Sequence, residues 1–232
     1  MVVNSKQIDA LYEFTRQHFV EHYDLQTELV DHLANDIEQI WQTQPNLSFE
    51  EARDKSFKKF GIFGFMDIVE KRRNAMTKRY YKYLKDELVQ WFGWPKFFIT
   101  LFIFFVCLYG FSSNHVQYFF ISIYTPLIGW IFYRSYRLNR TYKKRKLESN
   151  KKWMLENIIF KQGGAVGAII VSQFPTYCQL LSHTLYNQYL VLALSTGTTL
   201  LILCFYISYY LLPEKADKLL EKTYPEYKSA VL

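Results

Sequence analysis

Charge is missing from two long stretches of this chain. Between Glu87 and Arg134 the sole Lys, Arg, Asp or Glu is Lys96, and between Lys161 and Glu214 there is none. An uncharged stretch of 18 or more residues reads as membrane-spanning, because about 20 helical residues cross a ~30 Å hydrocarbon layer. Cysteine is scarce as well, and Cys107, Cys178 and Cys204 all lie inside the apolar stretches. No Cys-x-x-Cys pair or Cys/His metal spacing occurs, so the three read as small hydrophobes, with a disulfide between Cys107 and Cys178 left open. Residues 1–20 are polar and hold no apolar core of the kind a cleavable leader needs, so export of the N-terminal region by that route is not expected. Ionisable groups are lacking at depth, where transporters, proton relays and intramembrane hydrolases place them at a cost of ~2.5–3.5 kcal/mol each.

What is present is segregated. The chain is 50% hydrophobic and 19% aromatic, yet its mean hydropathy is −0.10. Residues 1–70 carry Lys6, Arg16, Arg53, Lys55, Lys58 and Lys59 against thirteen acidic residues. The net charge of +7 therefore comes from residues 71–85 and 134–152, which flank apolar spans. Basic residues in such places set topology and attract anionic headgroups, so the partner implied is the lipid bilayer and not nucleic acid.

The expected architecture is all-α. A small acidic cytosolic head (residues 1–70) leads through a basic amphipathic connecting helix (71–94) into a four-helix transmembrane region (95–212) and a cytosolic tail (213–232). The spans fall near residues 95–111, 116–133, 160–181 and 188–212. The hairpins after the first and third spans contain no Lys or Arg. Segment 134–152 contains Arg134, Arg137, Arg140, Lys143, Lys144, Arg145, Lys146, Lys151 and Lys152 against one Glu, which makes it a cytoplasmic loop and a headgroup contact. Both termini are then cytosolic, in a multi-pass protein of the cytoplasmic (inner) membrane. Trp91, Trp94, Trp130 and Trp153 all land at the inner headgroup level as interfacial anchors. Tyr206, Tyr209 and Tyr210 close the fourth span on the same side.

Within the head, Ile8, Leu11, Tyr12, Thr15 and Phe19 share one helical face. Asp24 is placed to cap a second helix with the apolar stripe Leu25, Leu29, Leu33, Ile37, Ile40 and Trp41. Ser48 and Glu51 form a capping box for a third helix, which closes at Gly61. Phe63, Phe65, Ile68 and Val69 begin a fourth.

Three of these pieces together carry a resemblance: Glu28-Leu29-Val30-Asp31-His32-Leu33, then Ser48-x-Glu50-Glu51-Ala52, then Lys59-Phe60-Gly61. Over residues 20–75 the chain resembles the HAAS or "permease prefix" helical domain that precedes transmembrane helices in many bacterial membrane proteins. Pro45-Asn46-Leu47 stands where that family usually has a Gly before the box. The resemblance implies a regulatory or partner-binding head on a membrane anchor, with no catalytic residues and no cofactor.

Candidate chemistry is sparse. His18-Phe19-Val20-Glu21-His22 has the H-x-x-E-H spacing of inverted zinc proteases, although the downstream carboxylate ligand of those enzymes has no counterpart. Glu28, Asp31, His32 and Asp36 form an acidic and imidazole cluster that one helix face cannot close around a metal unaided. A solvated face explains His32 and Asp36 more simply, and a surface helix end explains His18 and His22. Gly163, Gly164 and Gly167, with Ala193 and Gly197 in the fourth span, are small-residue helix-packing positions and not a phosphate loop. Pro126 and Pro175 are expected to kink their spans. A non-enzymatic regulatory or interaction protein is the favoured reading, with a protein partner for the head and a homo-oligomer left open. A small transporter or transporter subunit is the first alternative, and a membrane-bound metal-dependent enzyme the second.

Overall fold

The computed structural model describes residues 2–149, 151–161, 167–168, 171–172 and 187–227. Every regular element among them is helical. The head comprises α1 (Ser5–Gln17), α2 (Tyr23–Thr43) and α3 (Phe49–Lys58). Asn4 and Gln7 cap α1 reciprocally, each side chain accepting the other's backbone N–H at 2.9 Å. Leu11, Phe14 and Thr15 form the buried face of α1, with Ile8 and Tyr12 partly buried against it. Phe19 is not part of that face. The helix ends at Gln17, and Phe19 follows in a left-handed conformation (φ 64°) with its ring 76% exposed. Phe14 takes the core position instead, edge-on to Phe57 and Phe65.

All six residues of the α2 stripe are buried, so the 3.6-residue period defines that face. The Ser48/Glu51 capping box opens α3 as its sequence requires. Asp36 of α2 accepts from Ser56 Oγ at 3.0 Å and pairs with Lys59 Nζ at 2.9 Å, which ties α2 to the end of α3. Gly61 and Gly64 both have positive φ and turn the chain sharply into α4 (Met66–Gln90). This helix passes unbroken through residue 70, so head and connector share one rod.

Beyond it come α5 (Phe97–Phe111), α6 (Val116–Ser149), α7 (residues 154–161) and α8 (Gln188–Glu214), followed by α9 (Ala216–Thr223). Two of these, α6 with 34 residues and α8 with 27, are long and apolar enough to cross a membrane. At 15 residues α5 is apolar but shorter. The basic segment expected as a loop is, up to Ser149, the continuation of α6 beyond its apolar half. Lys and Arg are good helix formers, so nothing between residues 134 and 149 stops the helix. Pro126 lies inside it. Most of the expected third span, including Gly163, Gly164, Pro175 and Cys178, lies outside the described residues.

α5 packs along α8 and meets α6 at its end. Gly167 is a close-packing position: a Cβ there would stand 2.6 Å from Ile131 Cγ2 and 2.7 Å from Tyr209 Oη. Ala193 and Gly197 are exposed, and no described residue lies within 4 Å of where a Gly197 Cβ would be. The hydroxyls of Ser195, Thr196 and Thr199 bond back to carbonyls four residues earlier, at 2.7–2.8 Å. Near its C-terminal end α8 passes through a π-turn, Ile207–Leu211, before Pro213. Pro213 has no N–H to give the Tyr209 carbonyl four residues back, and Arg134 Nη2 donates there instead at 2.8 Å.

Leu33→Asp places an unpaired charge at a position with no solvent exposure, a change that costs roughly 3–5 kcal/mol. In the full chain, hydrogen exchange across α1–α3 should rise to that of an unfolded segment while the α5–α8 pair keeps its protection. Unchanged exchange in the head would show that this stripe is not its core.

Candidate functional site

The N-terminus of α7 begins at Met154, and its first amides have no partner inside their own helix. Two other parts of the chain supply the acceptors. Asp24 Oδ1 of α2 accepts from Met154 N at 3.2 Å, and Tyr224 Oη of the tail accepts from Leu155 N at 3.3 Å. The favour is returned: Tyr23 N, the first amide of α2, donates to Lys152 O at 2.7 Å. Head, membrane-proximal segment and tail therefore meet through backbone groups that each would otherwise leave orphaned.

This corrects the role expected of Asp24. It does not cap its own helix, whose N-cap is His22 with no side-chain bond. Its carboxylate instead faces the positive end of α7, where an anion is favoured. Arg72 of α4 stands 3.8 Å from its other oxygen and 3.6 Å from Glu28.

Trp153 also needs correcting. Its indole is 1% exposed, so it is no headgroup anchor. It packs among Tyr23, Tyr224 and Tyr227, with ring centroids 5.4, 4.8 and 5.4 Å away. Aromatic faces from head and tail bury it more completely than an interface does. Trp94 is 82% and Trp130 50% exposed, while Trp91 lies edge-on to Tyr206.

Ion pairs ring the joint. Lys152 Nζ pairs with Glu21 at 2.6 Å, and the Lys151 ammonium sits 4.3 Å above the Tyr23 ring. Arg145 is turned inward, away from a headgroup role: its Nε pairs with Glu156 at 2.8 Å, and its Nη2 with Asp217 and with Tyr227 Oη. Arg134 is likewise turned in, over the Tyr210 ring at 3.9 Å. Arg137, Arg140, Lys143, Lys144 and Lys146 remain exposed along α6. Lys215 of the tail pairs with Glu87 of α4.

Burial and charge set the titration of these groups. The Lys152 hydrogen bond and charge hold Glu21 below the usual carboxylate value. Burial pushes Glu156 up, against the pull of Arg145. Tyr227 is pushed up to about 12, chiefly by burial. His22 is lowered, first by burial and then by Lys152 and Lys161, with Asp24 and Glu21 opposing. A neutral imidazole suits its neighbour, because Asn157 Nδ2 lies 3.3 Å from His22 Nε2 and donates there.

The zinc-protease spacing dissolves in three dimensions. His18 closes α1, with Nδ1 2.8 Å from Phe14 O and its ring against Phe57, while His22 precedes α2 and faces Asn157. The two imidazoles share no helix, and Glu21 is engaged by Lys152. His32 is exposed, and Asp36 is committed to α3. Among the described residues no group of three or more His, Cys, Asp or Glu gathers around a point that would hold a metal.

Sequence reasoning missed Arg145, Glu156, Asp217, Tyr224 and Tyr227 as a set. The one available signal was Glu156 itself, a lone acid beside an apolar run, which calls for a cation.

Because His22 titrates below its ordinary value of 6.5, the undocked chain takes up the extra proton between the two values. Its contribution to the joint is complete above about pH 6.5 and is lost as pH falls through the lowered value. The protection of the Tyr23 and Met154 amides, as exchange relative to the intrinsic rate at each pH, should therefore fall as the solution is acidified below that pH. His22→Gln, which keeps an acceptor but does not titrate, should flatten the response. Separately, Asp24→Ala should cost about 0.5–2 kcal/mol as a lost cap and expose the Met154 amide, while Asp24→Asn retains most of its protection. No family model, curated protein or solved structure matches this chain.

Proposed function

We propose that the chain is a non-enzymatic regulatory or interaction protein of the cytoplasmic membrane, with four spans and both termini cytosolic. Its head, of the HAAS or "permease prefix" kind, binds a protein partner and is held at the membrane base by the joint around α7. The observation that carries this reading is the apolar surface the head leaves open. Ile62 is 100% and Phe63 70% exposed, held out between Gly61 and Gly64, and Met66 is 51% exposed beside them. Apolar side chains at a tight turn are costly to leave in water unless another surface covers them.

The inward orientation of both ends is supported by charge. Arg137 and Arg140 share an exposed stretch of α6 with Tyr133 and Tyr136, within about two turns of the apolar half. That mixture suits an anionic headgroup layer, where each cation near the surface contributes about 1 kcal/mol.

Two measurements test the reading. Reporter fusions at His115 and Asn187 should read as external, and fusions at Lys144 and the C-terminus as cytosolic; an external signal at Lys144 overturns the topology. Cross-linking in native membranes should yield partner adducts to the full chain that vanish on head deletion. Ile62→Ser with Phe63→Ser should reduce the same adducts severalfold while head helicity is kept. Adducts indifferent to both changes would overturn the role given to the head.

A further inference from the structure

A cleft of about 800 Å³ opens between the head and the base of α6, beside the joint. One wall is the head, with Tyr12, Arg16 and Glu21, and the other is the membrane-proximal segment, with Lys146, Lys151 and Lys152. Four cations line it in all (Arg16, Lys146, Lys151 and Lys152), against the two carboxylates Asp9 and Glu21. Glu21 is taken by Lys152, and Lys151 by the Tyr23 ring. Arg16 and Lys146 are in no ion pair among the described residues, and they face the cleft from opposite walls. Lys146 also stands against the like charges of Lys152 and Lys161, with Glu21 opposing from the head side. Ammonium groups crowded in this way repel unless an anion lies between them.

We propose that this cleft is a binding site for a small phosphate-bearing anion, which bridges Arg16 of the head and Lys146 of α6 and so fastens the head to the base. Phosphate suits it because its oxygens accept charge-assisted hydrogen bonds from a guanidinium and from ammonium groups at once. The inference deepens the reading of the head as a module held at the membrane base and rests on it. A lipid headgroup and a soluble phosphate share this chemistry. Lys146 lies 13 residues beyond Tyr133, the end of the apolar half of α6, which along a helix is roughly 20 Å. That distance favours the soluble source.

The full chain in nanodiscs of zwitterionic lipid provides the test, titrated with pyrophosphate by calorimetry at constant ionic strength. Saturable binding is expected, weakened about tenfold by Arg16→Gln and likewise by Lys146→Gln, the loss of one charge-assisted contact each. Lys144→Gln, which lies outside the cleft, should leave it unchanged. Bound pyrophosphate should also slow exchange of the Tyr23 and Met154 amides. Nanodiscs containing phosphatidic acid separate the sources: a lipid-filled cleft blocks pyrophosphate there, and a soluble-ligand cleft does not. Either of these outcomes keeps the site. Absent saturation overturns the proposal, as does equal weakening by Lys144→Gln, which is what diffuse electrostatic attraction produces. Loss of partner adducts with pyrophosphate binding intact would instead sink the partner-binding role alone.

Discussion

A helix cannot satisfy its own first amides, and this structure is organised by where those amides find acceptors. At α7 they are met by Asp24 from the head and Tyr224 from the tail, while the first amide of α2 is met by the Lys152 carbonyl. These bonds are buried, so losing an acceptor leaves a donor dry, at a cost of about 1–3 kcal/mol. The surrounding contacts follow from that arrangement. Trp153 can be buried only because Tyr23 and Tyr224 are brought to it by the same bonds. Glu156 tolerates burial only because the tail and α6 converge there with Arg145 between them.

The same constraint acts once more at the C-terminal end of α8. Pro213 withdraws a donor from the Tyr209 carbonyl, and Arg134 on the neighbouring helix replaces it. Its guanidinium lies over the Tyr210 ring, and Trp130 Nε1 donates to the hydroxyl of that same tyrosine. Thus α6 is fixed to α8 by backbone accounting at Arg134, and to the tail by Arg145 about three turns further on. Basic residues that look interchangeable in sequence divide by helix face into those that hold the fold and those that meet the surroundings.

Local signals were legible and long-range ones were not. The α2 stripe, the Ser48/Glu51 box and the Gly61 turn depend on neighbours within a few residues, and all three could be read from periodicity and capping rules. The end of α1 could not, because Phe14 and Phe19 are equally apolar and only the packing of Phe57 and Phe65 decides between them. Asp24 looked like an ordinary cap, since sequence shows a carboxylate near a helix start but not whose amide it serves. Trp153 looked interfacial because tryptophans at span ends usually are, and the tyrosines that enclose it lie about 70 and 130 residues away. The joint is assembled from four separate segments, and nothing in any one of them announces the others.

The length of α6 has a mechanical consequence. Its 34 residues form a single rod of about 51 Å, with Pro126 as the one place where a backbone hydrogen bond is withheld. From Pro126 to Ser149 the rod runs on for roughly 35 Å. That end carries Arg145, bonded to Glu156, Asp217 and Tyr227. One stiff helix thus holds α8 through Arg134 and the joint through Arg145, so a rotation of α6 about its own axis shifts both sets of bonds together and neither can rearrange alone.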